Sequence, residues 1–159
     1  MKKIVDLLRE HPFFDGMEEE YLEFIGGCGE IIGYSAGDTI AEEHAPADHF
    51  FLIRRGRVAI ETYVPGHGRV CLQTLQDGDI FGWSWLFPPH QWTFDARALD
   101  EVRAIRLGGK CLREKCNRDT ELGYDLMRRF ARIMTERLQA TRMQMLDIYG
   151  HPLRPAGGR

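Results

Sequence analysis

The chain has 159 residues, 43% of them hydrophobic and 28% charged, enough for one ordinary core with little room for a second. Its 21 Lys and Arg against 24 Asp and Glu give a net charge of −3, which excludes a surface built as a whole for nucleic acid or an anionic membrane. No apolar run approaches the roughly 18 residues of a membrane span, and the start MKKIVDLLREHP carries Asp6 and Glu10 where a signal peptide is apolar, so a soluble, cytoplasmic protein is expected.

Residues 1–29 are expected to form short helices. Ile4, Leu7 and Leu8 stand at i, i+3 and i+4, and Tyr21, Leu22 and Ile25 repeat that spacing. Between them His11-Pro12-Phe13-Phe14-Asp15-Gly16 interrupts the pattern with proline and glycine. Residues 30–112 are expected to be β-rich, because turns at Gly37-Asp38, Arg55-Gly56, Pro65–Gly68 and Gly78-Asp79 separate short apolar runs. Val58, Ile60 and Thr62 alternate with Arg57, Ala59 and Glu61, and Val70, Leu72 and Thr74 resume the period of two after the turn, which predicts a β-hairpin. The fold class is therefore α+β: a double-stranded β-helix (a jelly roll or cupin-like β-roll) with short N-terminal helices and one long C-terminal helix.

Residues 113–149 are expected to be the C-terminal helical segment, with one long helix from about Asp119 to Tyr149 ended by Gly150 and Pro152. Leu122, Leu126, Phe130 and Ile133 form one apolar stripe along it. Tyr124, Met127, Ala131, Met134, Leu138, Thr141, Met145 and Ile148 form a second, in alternating steps of 3 and 4. Such a heptad seam needs a partner helix, and a second copy of the chain supplies one. A homodimer through Met127, Ala131, Met134, Leu138, Thr141 and Met145 is expected, with packing inside a single chain as the alternative. Arg128 and Arg129 lie within i, i+4 reach of Asp125, and Arg132 of Glu136, the pattern of a salt-bridged solvent face. Residues 150–159 are expected to be a flexible tail.

Cys28, Cys71, Cys111 and Cys116 lack C-x-x-C spacing and a histidine at a zinc-site interval, so free thiols are expected, with a Cys111–Cys116 redox pair as the alternative. The histidines, His11, His44, His49, His67, His90 and His151, contain no His-x-His pair, so neither a metal nor another cofactor is expected. Ser35 and Ser84 are the only serines and neither lies in G-x-S-x-G, and there is no Walker loop. No catalytic residues are assigned.

The densest feature is residues 78–93. A strand enters at Ile80-Phe81, Gly82 allows a tight bend, and a short apolar turn of helix follows, whose free amides form a cradle for an anion or phosphate. With HPFFDG, YSAGDTIAEEHAPADHFFLIRRGRVAI, LQDGDIFG and ARALDEVRAIRL in that order, the sequence resembles the cyclic nucleotide-binding domain. This is the β-roll sensor of the catabolite activator family, protein kinase A regulatory subunits and cyclic-nucleotide-gated channels. The resemblance runs to about residue 145 and implies a phosphate-binding cassette at 78–93 whose occupancy is coupled to the C-terminal helix.

It also implies two departures. Trp83 stands where nucleotide-binding members carry the Glu that holds the ribose 2′-hydroxyl, and Trp92 where they carry the Arg that pairs with the cyclic phosphate; Thr93 keeps the small, hydrogen-bonding character found beside that Arg. Phe81, Gly82, Trp83, Ser84, Trp85, Leu86, Trp92 and Thr93 are the expected ligand-binding residues. Either they hold an aromatic or apolar effector, or the indoles fill the cavity themselves and the chain is an assembly module. Arg97 shares strand parity with Thr93 and Asp95, opposite Phe94, Ala96 and Ala98, and is expected to face solvent. Transcription factors of the family continue into a helix-turn-helix; about ten residues follow the long helix here, so direct DNA binding is not expected. The expectation is a dimeric, non-enzymatic sensor of an unknown small-molecule effector, or a module that acts on a regulated protein partner. No membrane association and no tight binding of cyclic AMP or cyclic GMP are expected.

Overall fold

A computed structural model describes residues 1–150. Helix α1 (Ile4–Glu10) leads through a 3-10 turn at Pro12–Phe14 to α2 (Glu19–Gly26), with Pro12 at the first position of its turn, where a missing N–H is harmless. Eight strands follow: β1 (Gly29–Tyr34), β2 (Thr39–Ala41), β3 (His49–Arg55), β4 (Val58–Val64), β5 (Gly68–Leu75), β6 (Ile80–Phe81), β7 (Asp95–Ala98) and β8 (Val102–Gly108). Helix α3 (Gly109–Arg118) starts directly after β8, ahead of residue 113 where helix is expected, and α4 (Thr120–Gly150) closes the described chain. Residues 151–159, most of the expected tail, lie outside the described residues.

The strands form two four-stranded antiparallel sheets in the orders β1-β8-β3-β6 and β2-β7-β4-β5. Alternation along β3 decides what lies between them. Phe51 and Ile53 point inward, joining Val58, Ile60, Phe81, Trp92, Ala96, Ala98, Val102 and Ala104 in one buried cluster. Phe50, of opposite parity, meets Phe13 beneath the helices, with ring centroids 5.3 Å apart. The expected hairpin is β4–β5, with a register shift between Ile60 and Glu61.

By its internal contacts the chain divides into two compact units, residues 1–123 and 124–159. The first holds both sheets and the cassette. Asp119 caps the last helix: its Oδ1 accepts from the Leu122 N–H at 3.1 Å. Along α4, Leu122, Leu126 and Phe130 are buried, while Leu138, Met145 and Ile148 are more than half exposed. Arg129 pairs with Asp125 at 2.7 Å, one turn away on the same face. Among the described residues, no helix is long and apolar enough to cross a membrane.

The cysteines differ from the expectation of four free thiols. Cys28 and Cys111 form a disulfide across 83 residues of sequence, so they are not free thiols, and Cys111 is not left to pair with Cys116. The reason is topological. Gly29 of β1 pairs with Leu107 of β8, which brings the residue before β1 beside the first turn of α3. Cys71, exposed, and Cys116, half-buried, keep free thiols.

Candidate functional site

Strand β6 is a two-residue strand, paired to β3 through Phe51↔Phe81 and Leu52↔Ile80. It ends at Gly82, whose φ of +92° lies in the left-handed region. A Cβ on Gly82 would stand 2.6 Å from the Trp92 ring and 3.0 Å from the His49 carbonyl oxygen. Nothing larger than hydrogen fits. The expected helical turn is a 3-10 turn, Ser84–Leu86, and the chain then returns beside residues 44–47. There the His44 N–H donates to the Trp92 carbonyl at 2.8 Å, the Trp92 N–H to the Ala45 carbonyl at 2.9 Å, and the Ala47 N–H to the His90 carbonyl at 2.7 Å. These backbone bonds fix where the Trp92 indole can go.

It goes inward. Trp92 is 5% exposed, with its ring centroid 6.2 Å from Phe81, 6.0 Å from Phe51 and 5.7 Å from Phe94. Phe51 and Phe81 stack at 4.8 Å. Of the eight expected ligand-binding residues, the fold thus brings Phe81, Gly82 and Trp92 together on the inner face of the roll. Trp85 is fully buried, but against α3: a Cβ on Gly109 would meet its Cβ at 2.6 Å, and its carbonyl accepts from the Arg113 guanidinium. Trp83, Ser84 and Leu86 are half-buried and Thr93 is exposed.

Two polar features had no usable signal in the sequence. Glu61 is buried on β4 and accepts from Arg97 Nε at 2.8 Å and Nη2 at 3.2 Å. Arg97 has the expected parity, opposite the buried Ala96 and Ala98, yet it covers Glu61 instead of standing free in solvent. The carboxylate beside it raises the guanidinium pKa, so Arg97 is fixed as a cation and committed. Arg97 also lines a polar cleft of about 230 Å³ with Thr39, Glu43, Arg69 and Asp95. The second feature is Arg113 on the cassette carbonyl, hidden because α3 and α4 read as one helical region. Among the described residues, no group of three or more His, Cys, Asp or Glu is placed to hold a metal ion.

Comparison with known proteins agrees with the fold. Residues 31–119 match the family profile described as cyclic nucleotide-binding domain. The chain is 26% identical over 143 residues to a CRP-like cAMP-activated global transcriptional regulator of Mycobacterium tuberculosis, covering 90% of this chain and 62% of that one. It therefore spans about three fifths of that regulator's length. A solved structure described as a cyclic nucleotide-binding protein, from Geobacter metallireducens, superposes with a TM-score of 0.73 at 32% identity, covering 84% of this chain and 96% of that one. The catabolite activator protein of Thermus thermophilus, at 19% identity and a TM-score of 0.69 over 87% of this chain and 63% of its own, shares the fold.

Proposed function

We propose that this chain, which belongs to the cyclic nucleotide-binding domain family, is a non-enzymatic regulatory module whose cassette does not bind cyclic AMP or cyclic GMP tightly. One observation supports this reading: the Trp92 ring packs against Gly82, 2.6 Å from where a Cβ there would stand, at the bend that the resemblance assigns to the phosphate-binding cassette. The relative named for activation by cAMP supports regulation as the role. The ligand is not carried over with it, because the register that the resemblance implies puts indoles, Trp83 and Trp92, at both polar anchors of the nucleotide.

In this reading the effector is a compact aromatic or apolar molecule that competes with Trp92 for the inner face, stacking on Phe81 and Trp83 and using the Ser84 turn for its polar end. Its effect on a partner requires unequal affinity for two arrangements of the module. The module works as a homodimer through Met127, Ala131, Met134, Leu138, Thr141 and Met145. The 5% exposure of Trp92 also favours a second reading, a self-filled module that acts by holding a protein partner.

A thermal-shift screen across cyclic nucleotides, aromatic metabolites and haem separates them. A true effector at 100 times its dissociation constant adds roughly 2.7 kcal/mol of stability. A shift from an aromatic compound that Trp92→Ala changes supports the sensor. A silent screen supports the self-filled module, and a strong shift from either cyclic nucleotide overturns both.

A further inference from the structure

Away from the cassette, a cleft of about 310 Å³ opens between the end of β3, strand β8 and helix α1, with Arg54, Arg55, Arg103, His11, Leu7 and Pro12 in its lining. The arginines converge there because of a β-bulge. Ile53 pairs with Ala104 and Arg55 with Arg103, so β3 carries one extra residue, Arg54, with none opposite. A bulge sets two residues of one strand against one of its partner and re-aims their side chains, which breaks the alternation that would otherwise part Arg54 from Arg55.

The charges are not balanced internally. Arg55 and Arg103 face each other directly across two strands, an arrangement that destabilises a sheet. Among the described residues neither Arg54 nor Arg55 has a carboxylate partner, and Arg103 has an exposed pair with Glu101 at 3.2 Å, which is worth little. Glu10, also in the lining, is held by Lys2 at 2.6 Å. The imidazole of His11 adds no charge: Nε2 donates to the Ile53 carbonyl at 3.1 Å, Nδ1 accepts from the Phe13 N–H at 3.3 Å, and burial pushes its pKa down.

We propose that this cleft binds a phosphorylated small molecule, with Arg54, Arg55 and Arg103 on the phosphate and Leu7 and Pro12 against its organic body. Three guanidinium forks suit the several oxygens of a phosphate monoester dianion better than the two of a carboxylate. Its two negative charges also relieve the Arg55–Arg103 repulsion. The volume sits at the lower end of the roughly 300–1,000 Å³ range of small-molecule sites. The inference is independent of the cassette and of what the cassette binds.

The test is titration of the full chain with phenyl phosphate, inorganic phosphate and succinate at constant ionic strength, read by thermal shift and calorimetry. Phenyl phosphate should bind best and succinate least. Arg55→Gln and Arg103→Gln should each weaken phenyl phosphate by about tenfold or more, while Trp83→Ala should leave it unchanged. Removing one of two opposed cations should leave the unliganded protein at least as stable. If Arg103→Gln does not fold, Arg54→Gln makes the same test. Equal binding by wild type and arginine variants, a succinate response equal to that of phenyl phosphate, or loss of binding in Trp83→Ala each overturns the proposal.

Discussion

Gly82 and Trp92 are a coupled pair, and each explains the other. Gly82→Ala puts a methyl carbon 2.6 Å from the indole at a φ of +92°, so it should cost about 1–3 kcal/mol of unfolding free energy in urea. Trp92→Ala should cost about 3–5 kcal/mol by emptying the core. In the double variant the two costs should not add, because the clash is gone once the ring is removed. Additive costs would separate the two residues. His11 makes a second prediction. Its ring is buried, and desolvation outweighs the nearby Asp79 and Asp15 carboxylates, so its pKa falls below the ordinary 6.5. The unfolded chain then takes up the proton first, and the stability His11 contributes is complete above pH 6.5 and lost as pH falls below it. Urea unfolding between about pH 7.5 and about pH 5 should show this fall, and His11→Asn should flatten it. Equal slopes would mean that His11 does not titrate differently on folding.

At the scale of elements, periodicity made the helices, the β4–β5 hairpin and the two stripes of α4 legible, because each has a face that repeats at 3.6 or 2 residues. What stayed hidden depends on pairs far apart in sequence. Nothing near Glu61 announces burial, since its partner Arg97 arrives from another strand. The Cys28–Cys111 bridge follows from β1 pairing with β8, which no local spacing records. Of the cassette residues, Phe81, Gly82 and Trp92 stand together at the bend. Trp85 instead turns to α3, where Gly109 makes room for it. The bridge closes a loop of 83 residues, so Cys28→Ser should cost about 2–4 kcal/mol without reductant. Dithiothreitol should bring wild type down to the variant and leave the variant unmoved. Four titratable thiols in untreated, denatured protein would contradict the bridge.

For the whole molecule, the exposed part of the α4 seam makes a clear prediction. Leu138 is 55% exposed in the single chain. Leu138→Glu should set like charges together in the proposed dimer and yield monomers by light scattering at micromolar concentration; an unchanged dimer mass would place the contact elsewhere. Whether the chain holds a cyclic nucleotide is decided by magnitudes. Micromolar affinity is about −8.2 kcal/mol. Hydrogen bonds to charged groups contribute roughly 1.5–3 kcal/mol each, so in the proposed register, with Trp83 and Trp92 in place of the ribose acid and the phosphate arginine, roughly 3–6 kcal/mol is lost. Stacking of a purine on an indole returns about 1–3 kcal/mol, too little to restore the difference. Isothermal titration of the wild-type chain with cyclic AMP and cyclic GMP therefore tests the account most directly. No saturable binding tighter than about 10 μM is predicted for either nucleotide, and a dissociation constant below that value, about −6.8 kcal/mol, would contradict the account.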